Sequence, residues 1–280
     1  MRRRADERRG RRGAQSGAHG EGDEESRRSR PRGVPRRPHA EEALLGGAQF
    51  AHRRDDFLQG RLRPIRSYVL RQGRTTPAQK RALDELFPKY GLQFSGEKLT
   101  SPRHAPLVLE IGSGMGETTI AIARAHSEAD FVAVEVHGPG VGSLLNAIER
   151  EGLANVRVIR HDAVEVLEQM VGDVSLAAIH LFFPDPWPKK RHHKRRLVQP
   201  ETATLMARKL APGGILHAAT DWPDYAEQMA AVFGAEPLLE PSERGFAARP
   251  VTKFESRGQR LGHPIRDLHL RRRQTAPAAR

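Results

Sequence analysis

The chain has 280 residues, enough for one large domain or two small ones with a real core. Its 47 Lys and Arg against 34 Asp and Glu leave a formal charge of +13, which favours a polyanionic partner, either nucleic acid or an anionic membrane surface. There is no Cys, which excludes disulfides, thiolate zinc sites and cysteine nucleophiles; no apolar run approaches the roughly 20 residues of a membrane span, and the arginine-rich start lacks the apolar stretch of a secretory signal. These features predict a soluble, cytoplasmic protein, and charge alone does not choose between the two partners.

Residues 1–40 hold 13 Arg against 6 acids and no Leu, Ile, Phe, Tyr or Trp. So little apolar surface cannot offset the entropy of ordering, so residues 1–60 are expected to be a basic, disordered extension. Such an arm adds non-specific affinity for nucleic acid, or is an unselected tail. From 61 the texture changes, and a single domain is expected over 61–270, with a basic tail at 271–280. "RPIRSYVLRQGR" is basic with spaced apolar residues. "TTPAQKRALDELFPKYG" opens with Thr before Pro77, a helix start, and Pro88 and Gly91 are expected to stop that helix.

Apolar runs then alternate with helical stretches. Strands are expected at 107–111, 131–136, 156–159, 176–183 and 215–219. Helices are expected at 118–125, 141–151, 163–170, 201–210 and 223–233. The strands are solidly apolar rather than alternating, as burial on both faces requires. The pattern predicts an α/β fold, a doubly wound and mostly parallel sheet with helices on both faces. In such sheets ligands bind beyond the carboxyl ends of the strands.

The first strand runs into "EIGSGMGET", with Glu110, Gly112, Gly114 and Gly116. Glu117 stands where a dinucleotide fingerprint would need its third glycine, which disfavours a nicotinamide cofactor. Glu135 follows the second strand, where an acid would grip a ribose diol or would simply be a solvated strand-end acid, the two readings standing level. Asp162 follows the third; it accepts from an exocyclic amine or caps the next helix. Together the three acids line one crevice, and no Lys-bearing phosphate loop is present. A nucleoside with a cationic amino-acid tail suits that edge, and S-adenosylmethionine is such a ligand.

The fourth strand ends in Pro184-Asp185-Pro186-Trp187. Two prolines stiffen the backbone and present one carboxylate, which can accept from the N–H groups of a base edge. Trp187 stacks on a base or packs against the domain. Lys189–Arg196 holds six Lys or Arg and two His, a counter-charge for a phosphate backbone or a solvated charged loop. His192 and His193 lack a carboxylate or thiolate companion, so no metal is expected. The fifth strand ends in Thr220-Asp221-Trp222. From composition alone, "RPVTKFESRGQRLGH" is a structural loop.

"LEIGSGMGE", "VEVHGPGVG", "HDAVEVL", "LFFPDPWPKKRHHKRR", "ATDW" and "RPVTKFESRGQRLGH" follow one another in that order. In this the chain, over about 61 to 270, closely resembles the bacterial tRNA (guanine-N7)-methyltransferases. The resemblance implies a class I, Rossmann-like methyltransferase that uses S-adenosylmethionine to methylate N7 of a variable-loop guanine in tRNA, with no membrane partner; the sequence leaves monomer or homodimer undetermined. It implies cofactor binding by Glu110, Gly112, Gly114, Glu135, Asp162 and Asp185, with Asp185 also the catalytic residue. Lys189, Asp221, Thr252, Lys253, Phe254 and Glu255 are implied as substrate contacts. Arg191, His192, His193, Lys194, Arg195 and Arg196 would meet the RNA. Two rival expectations remain: a methyltransferase acting on another RNA base or on protein, and a non-catalytic RNA-binding protein that kept the fold.

Overall fold

The computed structural model describes residues 66–69, 73–251 and 264–274. The chain divides into two units, Met1–Arg63 and Pro64–Arg280, and the described residues all belong to the second. The disorder expected for 1–60 therefore lies outside the described residues.

Helix α1 (Pro77–Glu85) begins at a reciprocal capping box. The Thr76 hydroxyl accepts from the Gln79 N–H at 3.2 Å, and the Gln79 side chain accepts from the Thr76 N–H at 2.8 Å. Pro88 does not stop this helix. It sits in the first turn of a separate short helix, α2 (Phe87–Tyr90), where its missing N–H costs nothing.

Strands β1 (Leu107–Ile111), β2 (Asp130–Val134), β3 (Val156–Ile159), β4 (Leu176–Phe182) and β5 (Leu210–Thr220) form a parallel array. Helices α3 (Glu117–Ala125), α4 (Gly138–Glu151), α5 (Ala163–Gln169) and α6 (Pro200–Lys209) connect them, and α7 (Pro223–Ala235) follows β5. Two strands escaped the sequence pattern: β6 (Leu239–Pro241) and β7 (Arg266–Arg272). β7 lies antiparallel between β5 and β6, and the order is β3-β2-β1-β4-β5-β7-β6. It runs through Arg272, two residues past the domain end expected at 270.

The apolar residues divide by strand parity into two cores. Leu107, Leu109 and Ile111 join residues of α5, α6 and α7 on one face. Val108 joins Ile120, Leu144 and Ile148 of α3 and α4 on the other. Period-two alternation with both faces covered explains why the strands carry no polar alternation. It also places Glu110, and His180 opposite it on β4, on the α3–α4 face. Among the described residues no helix is long and apolar enough to cross a membrane.

Candidate active site

The parallel register sets the carboxyl ends of five strands side by side. Beyond the last pair of β1 and β2, the Gly112 N–H donates to the Val134 carbonyl at 2.8 Å; the Glu135 N–H donates to Ile159 at 3.0 Å, and the Phe183 N–H to Ala219 at 2.8 Å. Each ladder thus continues one step into the loop that carries an acid. Glu135, Asp162, Asp185 and Asp221 lie just past these strand ends, and Glu110 is the penultimate residue of β1.

Glu110 is 3 % exposed, and its Oε2 has no hydrogen-bond partner among the described residues. Burial pushes its carboxyl up to about 7; the neighbouring Thr119 hydroxyl opposes this, and the Glu135 charge adds to it. An orphaned buried carboxylate oxygen of this kind calls for a donor from outside the protein. Beside it, Gly112 and Gly114 have φ of 75° and 56°, and a Cβ on either would meet nothing within 4 Å. The turn needs glycine for its left-handed backbone and leaves open space in front of that backbone.

Glu135 is fixed by main chain. Its Oε2 accepts from the Gly114 N–H and its Oε1 from the His137 N–H, each at 2.8 Å. It locks the glycine turn to the start of α4, where a Cβ on Gly140 would come within 2.5 Å of the Gly114 carbonyl oxygen. Asp162 does cap α5, accepting from the Val164 N–H at 2.8 Å. Tyr68 lies beside it, and burial, then the Asp162 charge, pushes the phenol up to about 12. Tyr68 had no sequence signal, because only the fold brings its segment to β3.

After β4 the backbone turns sharply. Phe183 and Trp187, either side of Pro184-Asp185-Pro186, take φ of 52° and 44°. Bulky residues adopt this region only where the surroundings enforce it, and such strain concentrates at functional sites. Asp185 is accessible to solvent, yet the surrounding protein raises its carboxyl above the ordinary range. No described side chain hydrogen-bonds to it.

Trp187 packs against the domain. Its Nε1–H donates to the Ser67 carbonyl at 2.9 Å, and the Arg195 guanidinium lies 4.8 Å from its ring centre. The basic block forms a 3-10 turn over Lys190–Arg195. Lys189, Lys190, Arg191, Lys194 and Arg195 face solvent, and His192 and His193 are half-buried. Burial, then the charges of Arg191 and Arg195, lowers the His192 pKa. His193 lies 3.7 Å from Asp224.

Arg196 corrects the expectation of an RNA contact. It is 2 % exposed. Its Nε donates to the Pro186 carbonyl at 2.8 Å, its Nη1 to Gln228 at 2.7 Å and its Nη2 to Asp224. The guanidinium also lies 4.8 Å from the Tyr225 ring centre. Each of its three nitrogens donates within the fold and the residue is buried, so it anchors the turn rather than meeting phosphate. Asp221 is half-buried at the end of β5. Thr252, Lys253, Phe254 and Glu255 lie outside the described residues.

A family model described as "Putative methyltransferase" matches residues 104–268. The chain is 54 % identical over 222 residues to the tRNA (guanine-N(7)-)-methyltransferase of Nitrosospira multiformis, covering 76 % of this chain and 97 % of that protein. The enzymes of the same name from Aromatoleum aromaticum and Nitrosomonas eutropha are each 54 % identical, over 75 % and 73 % of this chain and 85 % and 95 % of theirs. With the acid-lined strand ends, the glycine turn and the strained Pro-Asp-Pro exit on one sheet edge, this chain belongs to the tRNA (guanine-N(7)-)-methyltransferase family.

Proposed function

We propose that the protein transfers a methyl group from S-adenosylmethionine to N7 of a guanine in tRNA, giving 7-methylguanosine. The observation that carries this reading is Asp185, a carboxylate to which no described side chain hydrogen-bonds, set between two prolines and two left-handed aromatic residues beside the acid edge.

The residues fit the cofactor. The orphaned Oε2 of Glu110 and the open space before Gly112 and Gly114 suit a ligand bearing an ammonium and hydroxyls. Glu110, Glu135 and Asp162 would hold it, with backbone of the glycine turn. When bound, S-adenosylmethionine supplies a methyl carbon made electrophilic by its sulfonium.

Guanine N7 carries a free lone pair, so the protein need not remove a proton to create the nucleophile. Asp185 would accept from the N–H groups of the base and orient N7 towards the cofactor edge. Positioning of this kind is worth up to about 7–11 kcal/mol. Its carboxylate also offsets the positive charge that builds on the imidazole ring as N7 is alkylated. Lys189, Arg191, Lys194 and Arg195 would meet phosphates and offset the few kcal/mol needed to unstack the base.

The test is to incubate the protein with unmodified tRNA and S-adenosylmethionine, digest to nucleosides and analyse by mass spectrometry. 7-Methylguanosine is the expected product. A different methylated nucleoside would overturn the base-binding role of Asp185, and tRNA binding without product would favour a non-catalytic protein.

A further inference from the structure

Beyond the acid edge, a second polar cluster lies on the α3–α4 face between β4, β5 and β7. His180, His217 and His269 occupy one register row, paired in turn across β4, β5 and β7. His217 donates from Nε2 to Asp267 Oδ1 at 2.8 Å. The Arg249 guanidinium grips the same carboxylate with both arms, Nε to Oδ1 and Nη2 to Oδ2, each at 3.1 Å. Burial alone would raise the Asp267 carboxyl, but the bonds from His217 and Arg249 hold it well below the usual range. His217, Asp267 and His269 bring donor atoms within 4.8 Å of one another. A cation there would face a guanidinium already bound to both carboxylate oxygens, so the cluster is an arginine–carboxylate–imidazole linkage rather than a metal site.

What this linkage touches gives it meaning. The Arg249 and His217 side chains are 6 % and 3 % exposed. The guanidinium lies 5.9 Å from the Phe182 ring centre and 5.2 Å from that of Phe183. His217 meets Phe182 edge-on at 4.8 Å. Phe182 is the last residue of β4, and Phe183 is the left-handed residue that starts the turn to Asp185. A phenylalanine at positive φ persists only when its neighbours over-determine it. Here a cation held by two charge-assisted bonds lies against its ring.

We propose that Arg249, Asp267 and His217 are positioning residues for Asp185: the linkage presses the guanidinium onto Phe182 and Phe183 and so fixes the turn that aims the carboxylate. The proposal rests on Asp185 being the base-binding group. None of the three is in the acid edge assigned to the cofactor.

The experiment compares Asp267→Asn, Arg249→Lys and their double variant with the wild type, measuring kcat and KM for tRNA and the Kd for S-adenosylmethionine. A misplacement of about 1 Å at a reacting group costs on the order of 100-fold. A fall in kcat of about 10- to 100-fold is expected in each single variant, with cofactor Kd within about twofold. Lys keeps the charge of Arg249 but neither the two-armed grip nor the planar stack, so it should fail too. The double variant should be no worse than the singles, since all break one linkage. Unchanged kcat, additive losses, or an equal loss of cofactor affinity would overturn the proposal. Should Asp267→Asn not fold, His217→Asn leaves the ion pair in place and carries the same readouts. Asp185→Ala, measured alongside, separates the two ideas. If it is inactive while Asp267→Asn is fully active, the linkage proposal falls alone; if it turns over normally, the base-binding reading falls and takes the linkage with it.

Discussion

The acid edge and the basic turn use opposite means to present charge. Glu135 spends both oxygens on backbone N–H groups, and Asp162 is tied to the first turn of α5. These are short side chains pinned by main chain, which gives geometric precision. In the basic turn one arginine, Arg196, is buried and held through all three of its nitrogens, while Arg191, Lys194 and Arg195 are exposed. Long exposed side chains give field strength without fixed geometry. A small cofactor must be held in register with the base, whereas a phosphate backbone needs mainly neutralisation. Asp185 stands between the two regions, rigid in its backbone and without a hydrogen bond from any described side chain.

The largest expected effect breaks the comparison at that junction. Asp185→Ala should cost on the order of 100- to 1,000-fold in turnover, the range for a preorganised charge-stabilising group. Its tRNA affinity, measured by filter binding, should stay within about twofold. A comparable loss of tRNA affinity would mean that Asp185 belongs to the binding face.

Glu110 tests the acid edge by pH. Its carboxyl is raised from 4.5 to about 7 by burial, so the folded, cofactor-free protein holds a proton that the unfolded chain has released. The sign follows from linkage: the contribution is fully present below about 4.5 and is lost as pH rises through about 7. Relative to Glu110→Gln, the cofactor-free protein should lose roughly 2–3 kcal/mol of stability between pH 5 and pH 8. Urea unfolding at the two pH values checks this, and parallel pH dependence in both proteins would place the titration elsewhere. Cofactor should cancel the difference only in the protein that keeps Glu110.

The five parallel strands were legible because burial on both faces makes each largely apolar; β1 and β3 fall at the expected residues, whereas β5 begins at Leu210, five residues before the expected 215, because its ladder runs through Pro212-Gly213-Gly214. β7 was not, since "RDLHLRR" buries Leu270 fully and Leu268 only partly, and charges fill the rest. What makes it a strand is the antiparallel ladder to β5, contributed from 50 residues away. The site divides in the same way. Acids just past strand ends can be placed from topology alone. Arg195 and Arg196 are identical neighbours in one run, and only Asp224 and Gln228, some 30 residues on, tell them apart. The Arg249–Asp267–His217 linkage was invisible for the same reason, its members lying on three separate segments.

That last distinction gives the finest test, a pair of single substitutions one residue apart. Arg196→Ala removes a guanidinium holding Pro186, Gln228 and Asp224. Unpaired partners of a charge-assisted bond cost about 2–3 kcal/mol, readable as a lower urea midpoint. Turnover should fall with it, because the Pro186 carbonyl adjoins Asp185. Arg195→Ala removes an exposed side chain whose described contact is the Trp187 ring, so stability should shift by less than about 0.5 kcal/mol. Its effect should appear instead as a drop of about 1 in the slope of log affinity against log salt for tRNA. If Arg195→Ala leaves the salt slope unchanged, the exposed cations are a solvated surface, and the force that brings tRNA to Asp185 must come from another face of the chain.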